Sequence, residues 1–257
     1  MASKKTSKKA TKKAAKKSTK KAASKKAAPK KATKKAAAKK KATKKTAAKK
    51  ASKGSSSRAK GGASKVAQGI LDADDTAAKI TEQAELMLDS RSTTATKAAR
   101  VIHEFVEEHA ELLQTHVDKF AQGITSKHKR VVQTSADALP AIAKVAPARV
   151  AKHLDTLKAA FEPTLDDGKD GLVRTFANLC TASVAYQKRL EPVLTLALQG
   201  ANGKTLLRWS QIVLPALKGE PHARARAVVE DRLDRIPRRY AVEIANNLGI
   251  RLRVRYR

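Results

Sequence analysis

Residues 113–124, LQTHVDKFAQGI, and residues 150–161, VAKHLDTLKAAF, place apolar side chains in the same four slots. Leu113, Val117, Phe120 and Ile124 recur 37 residues later as Val150, Leu154, Leu157 and Phe161. A step of 40 then gives Leu190, Leu194 and Ala197, and a step of 39 gives Val229, Leu233 and Ile236. Spacings of four, three and four residues put each set on one face of a helix. A second set moves in parallel: Leu172, Leu179 and Cys180 match Leu206, Val213 and Leu214 at a step of 34. Two helices per period of about 35–40 residues mark a stack in which each pair buries its apolar face only against its neighbours. The expected fold is all-α, an α-solenoid over residues 72–248.

Around these slots the pattern stays helical, with strand-type alternation only in the last eight residues. Helices are expected at 72–89, 93–109, 110–124, 128–145, 147–162, 169–185, 187–199, 204–218, 221–236 and 237–248. Asp72 and Thr93 read as N-caps, and Pro147 and Pro221 as first-turn residues. Gly168, Gly200, Gly203 and Gly219 read as stops or connections. The array resembles HEAT or armadillo-type repeats, in four to five units. Pro140 in LPAI and Pro215 in LPAL resemble the proline that bends the first helix of many HEAT units. An irregular helical bundle is the alternative architecture.

Upstream the chemistry changes abruptly. Of 257 residues, 56 are Lys or Arg and 23 are Asp or Glu, for a net charge of +33, yet residues 1–65 hold 27 of the bases and no acid. Apart from Met1, the apolar residues of residues 1–53 are alanines. Lysine repulsion without apolar surface to bury predicts a disordered polycationic tail over 1–53. Gly54, Gly61 and Gly62 with Ser55, Ser56 and Ser57 predict a flexible linker over 54–71. The candidate nucleic-acid-binding residues of the tail are its lysine pairs: Lys4 and Lys5, Lys8 and Lys9, Lys12 and Lys13, Lys16 and Lys17, Lys20 and Lys21, Lys25 and Lys26, Lys30 and Lys31, Lys34 and Lys35, Lys39 and Lys40, Lys44 and Lys45, Lys49 and Lys50. Steps of four and then mostly five residues would wrap charge around a helical rod, leaving no apolar stripe to dock on a core.

The string KKATKKAAAKKKATKK, residues 30–45, resembles the Lys/Ala-rich tails of linker histones and of bacterial linker-histone-like proteins. The resemblance implies a DNA partner, in a nucleoid for a bacterium or in chromatin for a eukaryote. The S/T-P-K-K motif of linker histones is absent: the tail's proline stands in Ala28-Pro29-Lys30-Lys31, while Ser3, Ser7, Thr11, Thr19, Ser24, Thr33 and Thr43 directly precede Lys-Lys. With no aromatic in the tail to stack on bases, and lysine a point charge, binding is expected to be independent of sequence and steeply dependent on salt. RNA is a possible second target, and the repeat domain could hold an unidentified protein partner, with the tail only localising it.

A second basic surface is expected at the C-terminal end. Residues 204–257 carry 13 bases and five acids. Arg224, Arg226, Arg232, Arg235, Arg238 and Arg239 crowd one helix pair, and Arg251, Arg253, Arg255 and Arg257 alternate with apolar residues in an arm over 249–257. Arg235, Arg238, Arg239, Arg251, Arg253 and Arg255 are the candidate phosphate contacts.

Catalytic, metal and cofactor sites find no support. GANGKT, residues 200–205, ends like a phosphate-binding P-loop, but Leu198 stands where the first glycine belongs and a helix precedes it. HEFVEEH, residues 103–109, has Glu107 where a zinc protease needs its second histidine, and His109 and His116 have no closing ligands. Cys180 reads as a small buried hydrophobe, and Trp209 and Tyr186 as packing residues. Some HEAT-like solenoids are DNA alkylation repair glycosylases that use a tryptophan and a carboxylate; here Trp209 stands alone, and Asp231 or Asp234 would have to serve beside many arginines. A single cysteine excludes an internal disulfide. The absence of a long apolar run or of an apolar segment after the basic start points away from membrane and secretion, towards nucleoid, cytoplasm or nucleus.

Overall fold

Helical spacing and small side chains together build the architecture of the computed structural model, which describes residues 61–251. The tail over 1–53 and residues 252–257 of the C-terminal arm, with the expectations attached to them, lie outside the described residues. Helix α1 covers residues 61–71, followed by α2 (Thr76–Leu86), α3 (Ser92–Glu108), α4 (Ala110–Leu113), α5 (Val117–Gly123), α6 (Lys129–Val145), α7 (Pro147–Ala151) and α8 (Leu154–Ala159). Then come α9 (Asp166–Ala182), α10 (Val184–Gly200), α11 (Gly203–Ala216), α12 (Gly219–Arg232) and α13 (Arg238–Leu248).

Two layers result. The second helix of each pair stacks on the next, α3 on α6, α6 on α9, α9 on α11 and α11 on α13. The first helices, α2, α4–α5, α7–α8, α10 and α12, cover them. The slots that recur in the sequence fill the space between. Leu113, Phe120, Ile124, Val150, Leu157, Leu190, Leu194 and Val229 are wholly buried, as are Leu172, Leu179, Cys180, Leu206 and Val213. Ile236 is only partly covered. The expected all-α stack of helix pairs is what the described residues form.

The repeat period is also written in hydrogen bonds. Thr134 Oγ1 donates to the Ala99 carbonyl at 2.9 Å, 35 residues back, and Asn178 Nδ2 to the Pro140 carbonyl at 2.9 Å, 38 back. Trp209 Nε1 reaches Asp170 Oδ1 at 2.9 Å across 39 residues. Each bond ties a second-layer helix to its predecessor, so the polar groups enforce the register that the apolar slots set.

Five details differ from the sequence reading. Residues 61–71 are helix rather than linker, because Ala63, Ala67 and Ile70 share one buried face and Gly61 and Gly62 fall at its first turn. The expected caps shift: Asp75 precedes α2 and Thr93 lies inside α3, while the side-chain caps are Ser183 for α10 and Asn202 for α11. Gly168 is interior to α9, where a Cβ would collide with Thr164 Oγ1. Pro140 and Pro215 sit in the second-layer helices α6 and α11. The first-layer helices expected over 110–124 and 147–162 break instead at His116 (φ −109°, ψ 25°) and His153 (φ −100°, ψ 13°), equivalent positions one repeat apart.

Pro140 supplies no N–H for the Ala136 carbonyl one turn back. Here α6 and α9 come closest: a Cβ on Gly171 would overlap Cα, O and Cβ of Ala136. Small residues on both sides allow the two backbones to touch.

Candidate nucleic-acid interface

The lysines from Lys4 to Lys50, with Arg253 and Arg255, lie outside the described residues. The arginines of the C-terminal pair divide into engaged and open ones. Arg224 pairs with Glu220 at 3.1 Å and lies 3.9 Å from Glu191. Arg226 pairs with Glu230 at 2.8 Å and donates to the Leu248 carbonyl at 3.2 Å. Arg232 donates to the Ala201 carbonyl at 2.6 Å, tying α12 back to the α10–α11 turn. Among the candidate contacts, Arg235 pairs with Asp231 at 3.3 Å, and Arg239 stacks over the Tyr240 ring at 4.4 Å. Arg238, at the start of α13, and Arg251 are exposed. Gly203 packs against Pro237 and Tyr240, which brings Lys204 at the start of α11 to the same end of the layer as Arg238.

A polar ladder runs across the outer face of the second layer. Arg174 of α9 reaches Asp137 of α6 at 3.0 Å and Asp170 on its own helix at 3.3 Å. Asp170 also accepts from Arg208 of α11 at 2.6 Å and from Trp209 Nε1. His103 of α3 stands 3.9 Å from Asp137. Beside it a cleft of about 740 Å³ opens between α1 and α3, lined by Arg100, Glu104 and Arg130. Burial, with Arg100 close by, holds the Arg130 guanidinium below its ordinary value, against the pull of Asp137 and Glu104. Bases and acids alternate along this face, so its field largely cancels.

The motifs set aside in the sequence have structural places. Gly200 to Thr205 form the α10–α11 turn, with Asn202 Oδ1 accepting from the Thr205 amide at 3.0 Å. The turn borders a cleft of about 510 Å³ that also includes Lys169, Arg208 and Trp209. His103, His109 and His116 have separate partners, Asp137, Glu111 and Thr81. Among the described residues no group of three or more His, Cys, Asp or Glu side chains could hold a metal. Burial pushes the Cys180 thiol up to about 12. Trp209 is 5% exposed, and its indole N–H is committed to Asp170 rather than facing Asp231 or Asp234. Tyr186 is half-buried against the core. No helix among the described residues is long and apolar enough to cross a membrane.

The sequence reading missed the Asp137–Arg174–Asp170–Trp209 ladder. Its signal was available: 137 to 174 and 170 to 209 are steps of 37 and 39, the period of the apolar slots.

No family model matches the chain, and no curated protein does. Among solved structures, the crystal structure of an engineered protein superimposes with a TM-score of 0.51, covering 74% of this chain and 90% of that one at 16% identity. The likeness is one of fold: a stack of helix pairs.

Proposed function

We propose that the chain is a non-enzymatic protein that binds nucleic acid, duplex DNA by preference, without regard to sequence, and compacts it. The observation that carries this reading is the run of 27 bases unrelieved by any acid over residues 1–65. A polycation of that length displaces condensed counterions from a phosphate backbone, and the released ions supply the affinity. The Lys/Ala repeats support a histone-like role on the same grounds. The helical stack, read as HEAT- or armadillo-like, serves as a rigid body carrying a second contact surface. Arm and body together could then bridge two duplex segments.

Gel shift and light scattering on the full chain, and on a chain beginning at residue 61, test the reading. Neutralising ten phosphates gives log K a slope of about −9 against log salt. The shortened chain is expected to lose most of that slope and to stop condensing DNA; unchanged compaction removes the tail from the mechanism. Competition by structured RNA at one fixed salt concentration decides between duplex and RNA as the preferred target.

A further inference from the structure

The second layer has a regular polarity. Its helices α6, α9 and α11 each end on the same edge of the stack, where the chain turns back into α7, α10 and α12. The turns are bound together: Gln187, 2% exposed, donates to the Cys180 carbonyl at 2.9 Å and the Ala216 carbonyl at 3.3 Å. Its Oε1 accepts from the Lys218 amide at 3.1 Å. Asn178 links the same end of α9 to α6 through the Pro140 carbonyl. Along this edge lie Lys144, Arg149, Lys152, Lys188 and Lys218, all exposed. None of the five forms an ion pair among the described residues, whereas Lys79, Lys129, Lys158, Arg174, Arg189, Arg208, Arg224, Arg226 and Arg235 do. Among the acids of this edge, Glu220 is held by Arg224 and Glu111 stands 3.6 Å from His109, while the exposed Glu107 and Glu108 at the end of α3 mark where the basic stretch stops. Between the cations stand small and apolar exposed residues such as Val145 and Val184.

We propose that this edge is the surface through which the helical domain itself contacts the phosphate backbone of duplex DNA. The inference rests on the nucleic-acid reading above and adds the site. Helix dipoles do not oppose it: each C-terminal end of about −0.5 charge sits beside the N-terminal end of the following helix, of about +0.5. The five side-chain charges therefore set the local field. Helices packed 8–10 Å apart carry the edge about 16–20 Å from α6 to α11, roughly five to six base pairs at 3.4 Å per step along a strand. Four lysines and one arginine offer backbone charge rather than base recognition, matching the sequence-independent chemistry of the tail.

The test compares two full-length variants, each with five cations neutralised. One is K144Q/R149Q/K152Q/K188Q/K218Q; the other is K79Q/K97Q/K119Q/K127Q/K129Q, which removes the same charge away from the edge. Binding to a 30-base-pair duplex is measured across salt, with thermal unfolding checked for both. The edge variant is expected to lose about 4 from the salt slope, and the control about 1 or less. Acylation of the wild-type full chain is expected to show Lys144, Lys152, Lys188 and Lys218 protected by duplex. Wild-type binding with an unaltered slope in the edge variant and no protection overturns the edge while leaving the tail reading intact. Protection by poly-glutamate but not by duplex assigns the edge to an acidic protein and also overturns it. A wild-type chain that ignores duplex takes down both readings.

Discussion

Asp170 shows what one buried carboxylate does in this stack. It is 8% exposed and receives Arg174 from its own helix and Arg208 and the Trp209 indole N–H from the next repeat, so three groups depend on it. Asp170→Ala would leave two guanidinium groups facing each other and an indole N–H without an acceptor. It should lower unfolding free energy by about 2–4 kcal/mol in denaturant melts. Asp137→Ala, whose own carboxylate is more than a third exposed, should cost under about 1 kcal/mol. Cys180 is wholly buried with its thiol pushed up to about 12, so alkylation at neutral pH should follow global unfolding; rapid labelling of the native chain would contradict the packing. Burial lowers the pKa of His116, outweighing Asp118. The unfolded state then takes up protons first as pH falls below about 6.5, and the contribution of this group to stability is lost between there and its lower folded pKa. His116→Gln should flatten the stability profile between pH 7 and pH 5, read from urea midpoints.

Elements owe their places to spacing, and their irregularities to single residues. The pairing of helices was legible because the apolar slots repeat whatever the surface does. Helix α1 was not, because two glycines and a serine run outweighed three buried apolar residues too few to show a period. The break in the first-layer helices at His116 and His153 was hidden as well, since neither histidine is a helix breaker and the apolar slots run on through both positions. The prolines drew attention to the wrong layer: Pro140 and Pro215 lie near the C-terminal ends of α6 and α11, both second-layer helices. Gly171 tests the closest contact. Gly171→Ala should destabilise by about 1–3 kcal/mol, because its Cβ meets the Ala136 backbone. Gly69→Ala, in open space on α1, should stabilise by up to about 1 kcal/mol. Thermal melts of the two variants should therefore move in opposite directions.

At the scale of the molecule, charge and stability are both graded along the array. Residues 66–124 carry five bases and 11 acids, while residues 204–257 carry 13 and five, so the field turns from negative to positive down the stack. Composition made the polycationic tail plain; the edge at Lys144 to Lys218 was invisible, because each of its cations is an ordinary residue near a helix end until the turns are brought side by side. Burial is graded too. Helix α6 has ten buried residues and α12 has two, Ala225 and Val229. Amide hydrogen exchange should be slowest in α6 and α9 and faster in α2 and α12, each with two buried residues, towards the ends of the stack of nearest-neighbour contacts.

Because every helix pair grips only the pair before it and the pair after it, the stack is a chain of links under load. Tension applied at its two ends would be borne in series, with the lightly packed final link peeling before the centre gives way. A body built like this would lengthen by increments rather than snap.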